Sequence, residues 1–208
     1  MENTMNELRA IYDDLVKQYG NATDTVHTFC DKGTDHTYIE FYAHHFARFK
    51  DKVDLLEIGV MTGGSFLLYA KYFKEYDLTG IEFSPSWSSP RPFQQEVTDN
   101  PNIDLYFNVN SKDPEFAGGF EAESFDLIID DGDHAPETQI ETFYNYFLKV
   151  KKGGTYFIED VRGEREIEFL LKNIREWLDA RKVSAGVDVY RGNVEQRKDD
   201  NIIYIHRV

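Results

Sequence analysis

The sequence predicts an open α/β sheet of mostly parallel strands with helices on both faces, closed by an antiparallel hairpin. Three observations lead to this fold class. Short apolar runs alternate with helical patterns from Val53 onward, the order that builds a parallel sheet from strand–helix units. Several of these runs end in glycine or acidic residues, at the edge where such sheets bind ligands. The last two runs follow each other without a helix, which favours antiparallel pairing.

Composition and charge narrow the class of protein. A length of 208 residues suits one domain, in which we expect residues 1–50 to form a helical segment and residues 51–208 the sheet. The net charge of −15 argues against nucleic acid or an anionic membrane as main partner, because both need a basic surface. No apolar run has the length of a membrane span. With Cys30 as the only cysteine and no signal-peptide pattern, we expect a cytoplasmic protein.

Two aromatic-rich helices are predicted before the first strand. Apolar residues recur at helical spacing in Met5–Tyr19 and again in Tyr38–Phe49. Both helices could also pack against a second subunit and form a homo-oligomer. The neighbours His44 and His45 point to different sides of their helix, so they do not form a pair of metal ligands.

The first strand, Val53–Val60, leads through a glycine-rich turn into a helix. This layout lets the backbone approach a nucleotide closely, although a tight strand–helix connection would look the same. The spacing Gly59-x-x-x-Gly63-Gly64 differs from the G-x-G-x-x-G of dinucleotide enzymes. Glu82 closes the second strand about twenty residues further on, where an acid can accept hydrogen bonds from both ribose hydroxyls.

A proline-rich segment, Ser84–Pro101, separates the second and third strands. Its prolines argue against a regular helix, so we expect a long loop that acts as a lid or a substrate wall. Trp87 and Arg91 are candidates to touch substrate, and anchoring the loop is the alternative. The third strand, Ile103–Val109, is followed by polar residues.

The fourth and fifth strands both end in acids. Phe125–Ile129 runs into Asp130–His134, and Gly154–Ile158 runs into Glu159 and Asp160. Neighbouring parallel strands bring their carboxyl ends to one crevice. Because unpaired carboxylates there would be costly, we expect them to hold a cation. Oxygen ligands without a nearby cysteine favour Mg²⁺, Mn²⁺ or Ca²⁺ over zinc.

From about Val53 onward the chain resembles the class I methyltransferases, which use S-adenosylmethionine and have a Rossmann-like doubly wound sheet. Within that class it resembles the metal-dependent O-methyltransferases of macrolide sugars, whose relatives include the cephalosporin hydroxylase-like proteins. The motifs that carry the resemblance are Glu57-x-Gly59 with Gly63-Gly64-Ser65, the IIDDGDH block ending at His134, GGTYFIEDV at 153–161 and the Gly33-Thr34-Asp35 element.

The resemblance implies a metal centre and a base. Asp131, Glu159 and Asp160 would hold Mg²⁺, and His134 would act as general base, with Asp131 and His134 as the catalytic pair. Histidine suits that role because its ordinary pKa is about 6.5; a capping or structural histidine is the alternative. The family commonly has D-G-S-H where this chain has Asp133 in the third position.

The resemblance also implies a site for S-adenosylmethionine over the glycine turn. Its ribose would lie on Glu82, its adenine near Asn110 and Ser111, and its methionyl part near Asp130. The full set of implied cofactor residues is Glu57, Gly59, Thr62, Gly63, Ser65, Glu82, Asn110, Ser111 and Asp130.

These expectations predict an S-adenosylmethionine- and divalent-metal-dependent O-methyltransferase. Its acceptor would be a hydroxyl of a sugar, a glycan or another small polar molecule, in natural-product or surface-glycan biosynthesis. A hydroxylase-like member of the same group and a non-catalytic S-adenosylmethionine-binding module are the alternatives. A nicotinamide dehydrogenase is disfavoured by the glycine spacing and the terminal hairpin.

Overall fold

The computed structural model describes residues 2–20, 29–85, 91–193 and 195–208. Trp87 lies outside these ranges. The strands are β1 (Lys52–Ile58), β2 (Glu75–Glu82), β3 (Ile103–Phe107), β4 (Phe125–Asp130), β5 (Val150–Ile158), β6 (Ala185–Arg191) and β7 (Asn201–Arg207). The α-helices are α1 (Glu2–Tyr19), α2 (Tyr38–Phe46), α3 (Gly64–Tyr72), α4 (Gln94–Thr98), α5 (Pro114–Gly118), α6 (Pro136–Tyr146) and α7 (Gly163–Arg181).

The seven strands form one sheet in the order β3-β2-β1-β4-β5-β7-β6. The first five strands are parallel, and β7 runs antiparallel to both β5 and β6. The predicted doubly wound sheet with a terminal antiparallel hairpin is therefore confirmed. The chain winds outward from β1 in one direction and from β4 in the other, so the crevice between these two strands is the switch point at which such sheets bind ligands.

Successive residues of the central strands enter two different cores. Leu55 and Leu127 pack with the helices α1 to α3 on one face, whereas Leu56 and Ile128 pack with α6 and α7 on the other. This double burial explains why the parallel strands read as continuous apolar runs.

The N-terminal helices pack on their own chain. Leu8, Tyr12 and Leu15 of α1 and Tyr38 and Phe46 of α2 are buried in the core on the α3 side of the sheet. The apolar faces that the sequence shows are thus used within the monomer, and a homo-oligomer through them stays a prediction. No helix in the described part of the chain has the length and hydropathy needed to cross a bilayer.

The structure differs from the expectations in local detail. The segment expected to be an irregular loop contains the short helix α4, and α5 was not predicted although Asp113 caps it and Pro114 opens it. Strand β5 begins at Val150 rather than Gly154. A register irregularity opposite Phe125 and Leu127 accommodates the extra residues, and a bulge of this kind is hard to see in a sequence.

Candidate active site

A cavity of about 610 Å³ opens at the carboxyl ends of β1, β2 and β4. Its volume falls in the range of small-molecule sites, about 300–1,000 Å³. A second cavity of about 260 Å³ adjoins it and shares Gly59 and Asp131 with it. The predicted site residues that line the larger cavity are Gly59, Glu82, Asn110, Ser111, Asp131, His134 and Asp160. Those that line the smaller one include Thr62, Ser65 and Arg91.

The glycine turn after β1 is required by close backbone packing. Gly59 has φ of +89°, and a Cβ added there would lie 2.0 Å from the backbone oxygen of Asp131. Gly63 has φ of +85° and caps the start of α3 in the left-handed region, which favours glycine. At Gly59 the turn therefore brings backbone without a side chain against the cavity.

Glu82 is held at the cavity by two backbone N–H groups. Met61 N donates to Oε2 and Ser84 N donates to Oε1, both at 2.8 Å. Each carboxylate oxygen accepts more than one hydrogen bond, so both remain able to accept from vicinal hydroxyls. This position fits the predicted contact with a ribose.

Glu57, which is predicted to contact the cofactor, is not among the residues that line the two cavities. It is fully buried, and its carboxylate accepts hydrogen bonds from Ser65 Oγ and, at 3.1 Å, from Tyr69 OH. Burial raises its pKa to about 7. Through these two hydrogen bonds Glu57 braces α3 against β1.

Asp130 also differs from its predicted place beside the methionyl part of the cofactor. Its side chain is buried and accepts a hydrogen bond from Tyr156 OH at 3.2 Å, on the α6–α7 side of the sheet. Burial raises its pKa to about 8. The reason is strand alternation: Asp130 is still within β4, so its side chain points to the opposite face from that of Ile129.

Asp131, His134 and Asp160 meet where the cavity reaches the ends of β4 and β5. Each offers one ligand atom, and these atoms lie within 4.8 Å of one another. His134 Nε2 is 3.6 Å from Asp160 Oδ2, and Asp160 Oδ1 accepts from Tyr38 OH at 2.9 Å. Burial, followed by the charge of Asp131, raises the pKa of Asp160 to about 7.

This donor set fits a divalent cation. The two carboxylates suit Mg²⁺, Mn²⁺ or a related ion, and the imidazole of His134 lies beside them. His36 Nε2 lies 3.4 Å from Asp160 Oδ1 and is buried without a hydrogen-bond partner among the described residues. A buried, incompletely satisfied polar group beside two acids is expected where a ligand completes the site.

Glu159, which is predicted to join the metal ligands, is more deeply buried than Asp131 and Asp160. It is fully buried, and its two oxygens accept from Tyr42 OH and from Lys32 Nζ, the latter at 2.6 Å. The described residues contain one group with metal-ligand spacing, and Glu159 is not part of it. The ammonium group of Lys32 is a counter-charge of Glu159, and the role of Glu159 as a metal ligand stays a prediction.

Lys32 is the residue that sequence reasoning missed. Its side chain is 2% exposed, and Nζ lies 2.6 Å from Asp131 Oδ2 and 3.6 Å from Glu57 Oε1. Burial lowers its pKa, but Asp131 and Glu159 outweigh that effect and hold the pKa well above the ordinary value. In the sequence Lys32 stands in a polar segment, so only the nearby Gly33-Thr34-Asp35 motif could have drawn attention to it.

Cys30 and Arg91 lie beside the smaller cavity. Cys30 is buried, and burial raises the pKa of its thiol, so it is a thiol rather than a thiolate nucleophile. Arg91 lines the cavity, and its backbone N–H donates to Gln94 Oε1 at 2.9 Å. Trp87, the other loop candidate, is outside the described residues.

Comparison with known proteins identifies related chains. Residues 56–161 match the family model described as a methyltransferase domain. The chain is 29% identical over 140 residues to an 8-demethyl-8-alpha-L-rhamnosyl tetracenomycin-C 2'-O-methyltransferase of Streptomyces olivaceus, covering 64% of this chain and 35% of that protein. It is 27% identical over 139 residues to a demethylmacrocin O-methyltransferase of Streptomyces fradiae, covering 62% and 33%.

Solved structures share the fold. MycE methyltransferase from the mycinamycin pathway, in complex with Mg and SAH, aligns with a TM-score of 0.66 at 22% identity over 93% of this chain and 53% of that chain. A Burkholderia thailandensis 1,6-didemethyltoxoflavin-N1-methyltransferase aligns with a TM-score of 0.55 at 13% identity, over 98% and 90%. The chain spans about a third of the length of the two Streptomyces relatives and about half of the MycE chain.

Proposed function

The chain belongs to the methyltransferase domain family, and on that premise we propose that it is an S-adenosylmethionine-dependent O-methyltransferase that needs a divalent metal. The proposed acceptor is a hydroxyl of a sugar or of another small polar molecule. The observation that carries the proposal is the meeting of Asp131, His134 and Asp160 beside the glycine-turn cavity. The relatives that act on rhamnosyl groups, and the neighbour with bound Mg and SAH, support it.

The larger cavity is the proposed cofactor site. Gly59 offers backbone without a side chain, Glu82 offers two acceptors for ribose hydroxyls, and Asn110 and Ser111 line the wall beyond it. The smaller cavity, which meets it at Asp131, is the proposed entrance for the acceptor. The methyl group of the cofactor and the hydroxyl of the acceptor would then approach each other over the carboxyl end of β4.

The acids and the imidazole divide the chemistry between them. Asp131 and Asp160 would hold the cation, which when bound lowers the pKa of a coordinated hydroxyl. His134, 3.6 Å from Asp160, would accept the hydroxyl proton while the oxygen takes the methyl group from sulfur. No enzyme nucleophile is required, so catalysis consists largely of positioning, which contributes up to about 7–11 kcal/mol in favourable cases.

The test is methyl transfer from S-adenosylmethionine to a panel of rhamnosides and other deoxysugar glycosides. We expect a product heavier by one methylene group, loss of activity in EDTA and recovery with Mg²⁺. A product heavier by one oxygen atom would favour the hydroxylase-like alternative, and cofactor binding without any product would favour the binding module. Full activity in EDTA would remove the metal from the proposal.

The role of His134 is tested with a matched histidine variant. His134→Ala should lower turnover by about 10²–10⁴-fold, with S-adenosylhomocysteine affinity measured by calorimetry unchanged. His44→Ala, on the exposed side of α2, is the control and should leave both unchanged. A parallel loss of cofactor affinity in His134→Ala would contradict the assignment.

A cytoplasmic location stays a prediction.

A further inference from the structure

Two tyrosines of the N-terminal helix α2 contact the pair of acids that follows β5. Tyr38 and Tyr42 are four residues apart, so their side chains lie on the same face of the helix, and both are buried. We propose that they are positioning residues, each of which orients one of the acids Glu159 and Asp160 as a ligand of the divalent cation. The proposal rests on the proposed metal-dependent function and deepens it, since it assigns the shaping of the metal site to α2.

Tyr38 contacts both the side chain and the backbone of Asp160. Its hydroxyl donates to Asp160 Oδ1 at 2.9 Å and accepts from the Asp160 backbone N–H at 3.4 Å; the backbone oxygen of Asp199 is a further acceptor at 3.0 Å. Asp160 Oδ2 lies 3.6 Å from Nε2 of His134, the histidine of the group with metal-ligand spacing. The phenol therefore holds one carboxylate oxygen and leaves the other beside the expected cation.

The backbone conformation of Asp160 also calls for such support. Its φ is +56°, in the left-handed region that residues other than glycine adopt uncommonly. Conformations of this kind persist only where the surrounding structure fixes them, and they cluster at functional sites. Because the Tyr38 hydroxyl contacts the backbone N–H and the carboxylate together, one side chain fixes both the conformation of Asp160 and the direction of its oxygens.

Tyr42 makes the equivalent contact with Glu159. Its hydroxyl donates to Glu159 Oε1, and Oε2 lies 2.6 Å from Lys32 Nζ. The same ammonium group lies 2.6 Å from Asp131 Oδ2, so Glu159 Oε2 and Asp131 Oδ2 face a common point. Each carboxylate oxygen accepts more than one contact, so these bonds leave Glu159 able to bind a cation. Tyr42 thus directs Glu159 towards Asp131, a member of the group with metal-ligand spacing.

The hydroxyl groups of the two tyrosines have a role that their rings alone would not fulfil. Both rings pack in the core on the α3 side of the sheet, where phenylalanine would fill the same space. The hydroxyls of Tyr38 and Tyr42 instead reach the acids across 122 and 117 residues of sequence. Hydrogen-bond partners of metal ligands orient those ligands, and the loss of one typically costs about 10–100-fold in metal affinity or activity. Removing a hydroxyl should therefore preserve the packing and release one acid.

The experiment measures Mn²⁺ binding to the full chain and its variants by electron paramagnetic resonance. Tyr38→Phe and Tyr42→Phe each remove one hydroxyl and keep the ring. We expect each variant to bind Mn²⁺ about tenfold or more weakly than the wild type. The spectrum of the bound ion should change as well, because its fine structure depends on the arrangement of the ligands. The double variant should bind more weakly than either single variant, since each tyrosine acts on a different acid.

Tyr156→Phe is the matched control. Tyr156 is also fully buried, and its hydroxyl donates to a carboxylate, that of Asp130, at 3.2 Å on the α6–α7 side of the sheet. This variant loses a buried hydrogen bond of the same kind, yet it should keep Mn²⁺ affinity within about twofold and leave the spectrum unchanged. Urea unfolding of all the variants separates a general weakening of the fold from a loss of ligand orientation.

Three results would overturn the proposal. Wild-type affinity and spectrum in folded Tyr38→Phe or Tyr42→Phe would remove the role of that tyrosine, and an equal loss of affinity in Tyr156→Phe would remove both roles. Absence of Mn²⁺ binding by the wild type would overturn the proposal together with the metal dependence. Methyl transfer by the wild type tests the proposed function separately: Mn²⁺ binding that depends on both hydroxyls, without any methylated product, would support the positioning role and contradict the reaction.

Discussion

The two edges of the sheet each contain a lysine between carboxylates, yet their surroundings differ. At the amino edge Lys151, 32% exposed, pairs with Asp54 and, at 3.0 Å, with Asp126. At the carboxyl edge Lys32, 2% exposed, faces Asp131, Glu159 and Glu57. The first cluster is in partial contact with water, which screens it, whereas the second is enclosed by the protein.

The difference shows that the acids at the carboxyl edge are buried at a cost in folding free energy. One buried ammonium cannot neutralise the acids of the carboxyl edge, and burial raises the pKa of Glu57 and of Asp160 to about 7 each. Stability alone would not maintain such an excess of buried carboxylates. Titratable groups with shifted pKa values that converge on a cavity indicate a functional site. The cluster at the amino edge consists only of ion pairs that join neighbouring strands.

The largest effect should come from comparing two aspartates on the same strand. Asp131→Asn, at the carboxyl end of β4, should lower methyl transfer by at least about 10²-fold because the cation loses a ligand. Asp126→Asn, at its amino end, should leave turnover within about threefold and lower stability by about 1 kcal/mol. Steady-state kinetics and urea unfolding of both variants check this. Equal losses of turnover in the two variants would contradict the view that only the carboxyl edge is functional.

A smaller effect, on stability, is expected at the glycine turn. Gly59→Ala forces a Cβ to within 2.0 Å of the Asp131 backbone at a positive φ, so we expect a loss of at least about 3 kcal/mol in the free energy of unfolding. Gly118→Ala, where the added Cβ would meet no atom within 4 Å among the described residues, is the control. Urea unfolding should show that variant at wild-type stability or above it.

The smallest effect concerns a histidine that belongs to neither edge. His45 is half-buried among the rings of Phe41, Phe157 and Tyr204, and burial lowers its pKa to about 4. Unfolded chains take up this proton near the ordinary value of 6.5, so folding loses stability as the pH falls from 6.5 towards 4.

His45→Gln removes that titration. Its free energy of unfolding should fall by about 1 kcal/mol less than that of the wild type between pH 7 and pH 4.5, after allowance for partial exposure. His44→Gln, its exposed neighbour, should follow the wild-type curve. Parallel curves for all three proteins would show that His45 is not buried as a neutral ring.

The sheet and the location of the site could be predicted because they depend on local pattern. Apolar runs separated by helical periodicity specify parallel strands, and parallel strands gather their carboxyl ends at one edge. The gathering of Asp131, His134 and Asp160 follows from that rule alone. The short helices α4 and α5 were missed because they have little periodicity to detect.

Only the tertiary structure decided which of the acids face the cavity. Asp130 turns into the core because side chains alternate along β4, and Glu159 is held by partners on the N-terminal segment. Lys32 reaches Asp131 and Glu159 across 99 and 127 residues of sequence, a distance over which no periodicity carries information. The sequence by itself determined the fold class and the edge at which chemistry is placed; contacts between distant segments determined how its charges are shared, because burial and hydrogen bonding arise only when the chain is folded.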